Sequence, residues 1–335
     1  MKLVLCVLMT LSFNLSLLAQ HLEEGFPHQE TDTHFPEHHF LLASNDSKKP
    51  RDQTAQKRPP KKEASRAFAK APGNGSRHIY KTIGDIELPL YVFQNPPTKK
   101  DQKRPAIVFF FGGGWFSGSP SQFEKQCEHF AKRGMVAITV EYRVSSRHSV
   151  KIDDCIEDAK SAMRWVRSHA EEFAIDPERI AAAGGSAGGH LAACTAVLDA
   201  FDASSDDRTI SAKPNAMVLF NPALAIAWDK RMPEEYREMA DQKMSGRSRA
   251  PIQDVSPLTF ASKKQPPCIM FFGTDDGLLE GAQLYQEDST KVGNLCKIIT
   301  YEGQGHGFFN RGEHYHLTLT ATDTFLVDCG WLSEE

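Results

Sequence analysis

Apolar runs and amphipathic stretches alternate along the chain from Arg77 onward. Continuous apolar runs of about four to eight residues predict buried strands, whereas apolar residues that recur every three or four positions predict helices. The predicted strands cover residues 78–83, 87–93, 106–111, 135–142, 180–183, 216–220, 268–272 and 296–301. Because helical segments separate most of these strands, the pattern predicts an α/β fold with a mostly parallel, doubly wound sheet.

Three segments add detail to this pattern. The first two strands are separated by Gly84 and Asp85, which predicts an N-terminal hairpin. Apolar residues spaced by three and four positions predict the clearest helix over residues 152–173. A small insertion rich in charged residues and methionine, residues 225–267, follows the sixth strand. It lies at the carboxyl edge of the predicted sheet, where it is either a substrate lid or an ordinary surface loop.

The N-terminal part of the chain has a different composition. Residues 1–20 contain a short, almost uncharged apolar run after Met1 and Lys2, which predicts a secretory signal peptide; an uncleaved anchor is the alternative. Residues 21–76 are first acidic and then basic, with too few apolar residues to form a core, and they predict a disordered charged linker. We therefore expect a folded domain at 77–335 in a protein that is secreted or periplasmic, without a membrane span after signal cleavage.

Composition excludes several classes of function. The 335-residue chain has a formal net charge of −4, which argues against nucleic acid as a partner. A phosphate-binding G-x-x-x-x-G-K-[ST] loop is absent, and so are C-x-x-C and H-E-x-x-H spacings, so the sequence predicts no metal and no cofactor.

Among the seven cysteines, Cys268 and Cys296 begin candidate strands; they either form a disulfide or remain buried thiols.

The most informative motif surrounds Ser186. Residues 184–188 read G-G-S-A-G, after an apolar strand and before an apolar helix. A serine flanked by glycines between a strand and a helix is typical of a nucleophile elbow, which holds the hydroxyl exposed at the carboxyl end of the sheet. The alternative is a glycine-rich turn with an incidental serine. The G-x-G-x-x-G pattern of dinucleotide-binding loops does not fit, because its third position here is the serine.

A hydrolytic serine needs a base and an acid, which should follow other strands of the sheet. His306 follows the last predicted strand and has glycine on both sides, so its loop can fold toward Ser186. Asp275 and Asp276 follow the preceding strand, and either carboxylate is a candidate to orient the imidazole. The chain order Ser, Asp, His is the order expected for this type of elbow.

A run of three glycines follows the strand at 106–111 and predicts an oxyanion hole. Without side chains, the backbone N–H groups of Gly113 and Gly114 can turn toward a developing negative oxygen, and the N–H of Ala187 completes the set. The next residues, Trp115 and Phe116, either line a substrate pocket or belong to the core.

Taken together, these motifs resemble the α/β-hydrolases of the hormone-sensitive-lipase-like and feruloyl- and acetylxylan-esterase-like (BD-FAE-like) group. The resemblance covers residues 80–331 and rests on G-G-G-W at 112–115, E-Y-R at 141–143, D-A at 158–159, R-W at 164–165, D-P at 176–177, G-G-S-A-G-G-H at 184–190, G-T-D-D at 273–276 and G-H at 305–306. It implies an α/β-hydrolase fold, hydrolysis of short-chain carboxylic esters without a cofactor, and Asp276 as the acid. Phe111 stands where the family often has a histidine that supports the oxyanion loop.

The resemblance and the motifs together predict an exported serine carboxylesterase. Ser186 is its nucleophile, His306 its base and Asp276 its acid. Export favours an extracellular substrate, and we expect the enzyme to remove acetyl or feruloyl groups from a polysaccharide or a small-molecule ester. The alternatives are a peptidase on the same fold and a catalytically silent binding protein. The sequence does not define an oligomeric state.

Overall fold

An eight-stranded sheet forms the centre of the fold. The computed structural model of the chain describes residues 70–96 and 102–334. The predicted signal peptide, and the predicted linker up to residue 69, lie outside the described residues. Within them the strands are β1 (Ser76–Ile83), β2 (Ile86–Phe93), β3 (Arg104–Phe110), β4 (Val136–Val140), β5 (Ile175–Gly185), β6 (Ala216–Phe220), β7 (Cys268–Gly273) and β8 (Cys296–Tyr301).

The order of the strands confirms the predicted architecture. It is β1-β2-β4-β3-β5-β6-β7-β8 across the sheet. The hairpin β1–β2 is antiparallel, β2 pairs with β4 in antiparallel orientation, and every pairing from β4 to β8 is parallel. A mostly parallel sheet with an antiparallel hairpin at one edge is the arrangement of an α/β-hydrolase fold.

Helices cover both faces of the sheet. They are α1 (Glu124–Lys132), α2 (Ser145–His148), α3 (Ile152–Ser168), α4 (Ala187–Val197), α5 (Glu234–Met244), α6 (Leu279–Lys291) and α7 (Gly312–Asp328). Helices α3, α4 and α6 pack with Val108 and Phe110 in one apolar cluster, whereas α1 and α7 pack with Ile107 and Phe109 in another. Successive residues of β3 thus point to opposite faces, as strand geometry requires. Because both faces are covered, the parallel strands read as continuous apolar runs.

The predicted helix at 152–173 is too long by one turn. Helix α3 ends at Ser168, although Ala170 and Phe173 are buried in the turn that follows. Ala174 has a φ of +53°, and β5 begins at Ile175, five residues before the predicted strand. Because Ala170 and Phe173 are buried like the apolar residues of α3, the helical spacing of apolar residues continues beyond the end of the helix. The predicted boundary of the folded domain at residue 77 falls one residue after the start of β1.

The insertion lies where the sequence places it, after β6. It carries the exposed helix α5 and two short 3-10 turns, Ile252–Val255 and Pro257–Phe260. Its second half is held at the start of α3 by Asp153, whose carboxylate accepts hydrogen bonds from Ser248 Oγ (3.0 Å), Arg249 N (2.8 Å) and Ala250 N (3.1 Å). A role for the insertion as a lid stays a prediction.

Cys268 and Cys296 lie opposite each other at the starts of β7 and β8, and both thiols are free. Of the two predicted alternatives, the structure has the buried thiols, and burial raises the pKa of the Cys268 thiol well above its usual range. Among the helices of the described residues, none combines the length and the apolar character needed to cross a bilayer.

Candidate active site

Ser186 sits in a tight turn between β5 and α4. Its backbone has φ 53° and ψ −115°, a conformation that residues other than glycine rarely adopt. The turn depends on its glycines: a Cβ on Gly188 would lie 2.0 Å from the carbonyl oxygen of Phe110, and one on Gly184 would lie 2.5 Å from the carbonyl carbon of Gly188. The two glycines therefore allow α4 to start directly against β3, with the serine at the apex. This geometry is that of a nucleophile elbow.

The structure brings the three predicted catalytic side chains into one hydrogen-bonded row. The Ser186 Oγ lies 2.9 Å from His306 Nε2, and His306 Nδ1 lies 2.9 Å from Asp276 Oδ2. A carboxylate only accepts hydrogen bonds, so Nδ1–H donates to Asp276 and leaves Nε2 free to accept from the serine hydroxyl. In this tautomer the imidazole is ready to take up the serine proton.

The acid of the row is Asp276 and not its neighbour. The Asp276 side chain is 2% exposed, and its Oδ1 accepts a hydrogen bond from Leu278 N at 3.0 Å. Asp275 is exposed, and its N–H donates to the backbone of the loop that carries His306, through Gln304 O at 3.0 Å. Both aspartates therefore contribute, one through its buried carboxylate and the other through its amide.

The loop that carries the base is held closely against the end of β7. A Cβ on Gly273 would lie 1.8 Å from the carbonyl oxygen of Gln304, so only glycine permits this approach. Gly307, with φ +83°, turns the chain into the 3-10 turn Phe308–Asn310 directly after His306. The His306 side chain is 46% exposed, which leaves the site open to solvent.

The predicted oxyanion loop presents free amide groups. Within the described residues, the N–H groups of Gly113, Gly114 and Ala187 donate no hydrogen bond to another protein group. Gly112 is different, because its N–H donates to Gln122 Oε1 at 2.6 Å. A Cβ on Gly112 would lie 3.4 Å from Ser186 Cβ, so the glycine run passes directly beside the serine.

Phe111, which replaces the family's frequent histidine, is packed in the core. Its ring stacks on Tyr142 with ring centroids 4.1 Å apart, and Tyr142 Oη donates to Phe111 O at 2.7 Å. The oxyanion loop is thus supported by Tyr142 on one side and by Gln122 on the other. An aromatic stack and an amide take the place of a histidine side chain.

Trp115 and Phe116 have different environments. Trp115 is 7% exposed, and its Nε1–H donates to His190 Nδ1 at 3.3 Å, which places it in the core beneath the loop. Of the two roles predicted for Trp115, the structure favours the core residue. Phe116 is 55% exposed beside the glycine run, and its role in a substrate pocket stays a prediction.

His190 connects the oxyanion loop to the insertion. It is fully buried, accepts from Trp115, and donates from Nε2 to the carbonyl oxygen of Val255 at 2.7 Å. Together the two contacts select the neutral tautomer with its proton on Nε2: the carbonyl requires a donor there, and the tryptophan N–H requires an unprotonated Nδ1. Burial lowers the pKa of His190 to about 4, against the opposing effect of its hydrogen bond to Val255.

Sequence reasoning missed three polar residues around the row, Asn221, Gln122 and Asn310, and it missed the structural role of His190. Asn221 follows β6 as Asp276 follows β7, so the rule that functional side chains follow parallel strands was a signal for it. Gln122 and Asn310 carry no such signal, because they lie in 3-10 turns far apart along the chain. Within residues 70–96 and 102–334, no group of three or more His, Cys, Asp or Glu side chains is arranged to hold a metal ion.

Solved esterases have the same fold. The chain is 44% identical to the apo form of Thermogutta terrifontis esterase 2, with a TM-score of 0.73 over 79% of this chain and 98% of that one. The same esterase phosphonylated by sarin gives 43% identity and a TM-score of 0.75 over 79% and 99% of the two chains.

Curated relatives are esterases as well. Carboxylesterase NlhH of Mycobacterium tuberculosis is 34% identical over 68% of this chain and 73% of its own length. The probable isoprenylcysteine alpha-carbonyl methylesterase ICMEL1 of Arabidopsis thaliana is 27% identical over 65% of this chain. The chain spans about half the length of ICMEL1 and of the probable carboxylic ester hydrolase LipM of M. tuberculosis, 48% and 49%. The BD-FAE family model matches residues 92–286, which is more than half of the chain. The chain therefore belongs to the BD-FAE family of α/β-hydrolases.

Proposed function

We propose that this protein is a serine carboxylesterase that hydrolyses short acyl esters through an acyl-enzyme. The observation that carries the proposal is the row Ser186–His306–Asp276, with 2.9 Å at each contact, beside three amide groups without a protein acceptor. The similarity to Thermogutta terrifontis esterase 2, of which propionate-bound and butyrate-bound structures exist, supports a short acyl group.

Acylation follows from this geometry. Ser186 Oγ attacks the ester carbonyl carbon while its proton passes to His306 Nε2, and Asp276 stabilises the imidazolium that forms. The negative charge that develops on the carbonyl oxygen is met by the N–H groups of Gly113, Gly114 and Ala187, and one such donor is worth about 3–4 kcal/mol in the transition state. The C–O bond to the alcohol then breaks, and His306 gives its proton to the leaving alkoxide.

Deacylation repeats these steps with water. His306 Nε2 takes a proton from a water molecule, whose oxygen attacks the acyl carbon in the same oxyanion hole. The bond to Ser186 Oγ breaks, the serine recovers its proton from the imidazolium, and the carboxylic acid leaves. No redox step or cofactor enters this balance.

We further propose that the ester is carried by an extracellular polymer such as an acetylated or feruloylated polysaccharide. Two features support this finer proposal. The predicted signal peptide at residues 1–20 directs the chain out of the cytoplasm. The 46% exposure of the His306 side chain leaves room for an alcohol half much larger than the acyl group.

Paraoxon tests the nucleophile directly. Attack on its phosphorus forms an Oγ–P bond and expels p-nitrophenolate, and Thermogutta terrifontis esterase 2 has been observed phosphorylated by this compound. We expect one equivalent of p-nitrophenolate per chain, a label on the peptide that contains Ser186, and parallel loss of hydrolysis of p-nitrophenyl butyrate. Ser186→Ala should abolish release and turnover, whereas the control Ser168→Ala, at the end of α3, should behave as wild type.

A substrate panel separates the alternatives. The panel compares p-nitrophenyl esters of two to eight carbons, a peptide anilide, acetylated xylan, a feruloylated sugar and a triglyceride. Turnover of the short esters is the expected result. Faster cleavage of the anilide would assign a peptidase, and no turnover together with no reaction with paraoxon would assign a silent binding protein. Failure on both sugar substrates would remove the polysaccharide proposal alone.

The proposed export has its own test. The full chain is expressed in a host with a secretory pathway, and the N-terminus of the exported protein is sequenced. We expect a mature chain that begins near residue 21. An intact Met1 on membrane-bound protein would instead assign the uncleaved anchor.

A further inference from the structure

Asn221 is a buried amide at the carboxyl end of β6, next to the catalytic row. Its side chain is not exposed, and its backbone N–H donates to Phe271 O on the neighbouring strand at 2.9 Å. The φ of Asn221 is +45°, in the left-handed region that asparagine tolerates better than most side chains. A strained backbone that carries a buried polar side chain is found where the side chain has a task.

Both ends of the Asn221 amide face the catalytic machinery. Nδ2 donates to Asp276 Oδ2 at 2.6 Å, and Oδ1 accepts from Gly307 N, the residue after His306, at 3.3 Å. The opposite orientation of the amide would place its oxygen against a carboxylate and its NH₂ against an N–H donor. These contacts therefore fix the orientation of the amide, and the amide joins the acid to the loop of the base.

Gly307 is held from its other side as well. Its carbonyl oxygen accepts from Asn310 Nδ2 at 2.9 Å, and Asn310 Oδ1 accepts from Gln122 Nε2 at 3.0 Å. Gln122 Oε1 in turn accepts a hydrogen bond at 2.6 Å from the N–H of Gly112, a residue of the oxyanion loop. A continuous chain of amides thus connects the acid, the base loop and the oxyanion loop.

We propose that Asn221 is a positioning residue for catalysis, which holds the Asp276 carboxylate toward His306 and fixes the loop that carries His306. This inference rests on the proposed function, because positioning matters only if the row is catalytic. Asp276 Oδ2 is the atom that receives His306 Nδ1–H, and the same atom receives the Asn221 donor. Without that donor, Leu278 N at Oδ1 and the imidazole itself at Oδ2 are the remaining hydrogen bonds to the carboxylate. Oδ2 is then less firmly directed toward His306, and the imidazole is held less firmly in its tautomer and orientation.

Asn221→Asp is the sharpest variant, because it keeps the shape, the tolerance of positive φ and the acceptor for Gly307. It replaces the donor to Asp276 with a second carboxylate. Two adjacent carboxylates share a proton, so the pair regains a donor only while that proton remains bound. The titratable groups that face position 221 are Asp276 directly and His306 through it.

We expect the pH profile of Asn221→Asp to change shape. Wild-type kcat should rise with pH to a plateau as the base loses its proton. In the variant, kcat should fall again on the alkaline side, where the shared proton leaves. KM should change little, because the Asn221 side chain is fully buried. Asn221→Gly keeps the backbone conformation and removes both hydrogen bonds, and it should lower kcat roughly 10- to 100-fold at every pH.

Asn294→Asp is the matched control. Asn294 is also buried, donates from Nδ2 to Lys263 O at 2.9 Å and accepts at Oδ1 from Gln265 N at 3.2 Å, far from the row. It should keep the wild-type pH profile even if its melting temperature falls. An Asn221→Asp profile parallel to wild type, or an equal loss in kcat for both Asp variants, would overturn the inference. Wild-type protein without esterase activity would instead overturn the proposed function.

Discussion

Replacing the buried His190 should alter how the stability of the protein changes as the pH falls. Burial lowers the pKa of this imidazole from 6.5 to about 4, so the folded state resists protonation while the unfolded state does not. As the pH falls from 6.5 to 4, the unfolded state takes up a proton first, and the free energy of unfolding decreases. The difference between the two pKa values corresponds to about 3 kcal/mol.

The assay is urea unfolding of wild type and His190→Gln at half-unit steps from pH 7.5 to 4. Glutamine offers an amide donor and an acceptor in place of the two ring nitrogens, but it carries no charge. We expect the stability of wild type relative to the variant to fall by about 3 kcal/mol across this range. His316→Gln, at an exposed site, controls for the loss of one histidine. A constant difference between wild type and His190→Gln would refute the reasoning.

Three further predictions concern other parts of the site and core. Gly188→Ala places a Cβ 2.0 Å from a backbone oxygen of β3, and it should lower the free energy of unfolding in urea by about 3 kcal/mol or more. Gly277→Ala, which has open space around the new Cβ, should lower it by less than about 1 kcal/mol. Gln122→Leu removes the acceptor of the partly buried Gly112 N–H in the oxyanion loop, and it should lower kcat about tenfold in the ester assay. Release of p-nitrophenolate from paraoxon should still occur, but more slowly. Burial raises the pKa of Glu141 from 4.5 to about 7. Between these values the folded state keeps a proton that the unfolded state has released, so the free energy of unfolding decreases as the pH rises through that interval. Glu141→Gln should therefore gain stability relative to wild type between pH 5 and 7, and a flat difference would contradict this.

The Ser186–His306–Asp276 row was predictable because its signals are local. Ser186 and His306 stand among glycines, directly after predicted strands, and parallel strands bring their carboxyl ends to one edge of the sheet. The choice of Asp276 over Asp275 needed the family motif, because both side chains follow the same strand and only the structure shows which one is buried.

The supporting residues were not predictable in the same way. Asn221 contacts residues 55 and 86 positions away, and His190 contacts residues 75 and 65 positions away. No local pattern encodes such pairings, because they depend on which loops meet above the sheet. The early end of α3 has a related cause: turn residues buried against the core keep the spacing of a helix.

The attachment of the insertion at Asp153 has a consequence for where this protein tolerates changes in length. Three hydrogen bonds fix residues 248–250 to the start of α3, whereas none of the described side chains of the preceding α5 is buried. Exposed segments between fixed ends tolerate changes in length at a small entropic cost. Residues 234–243 are thus the natural position for insertions or grafted segments, because changes in length there leave the attachment at Asp153 intact.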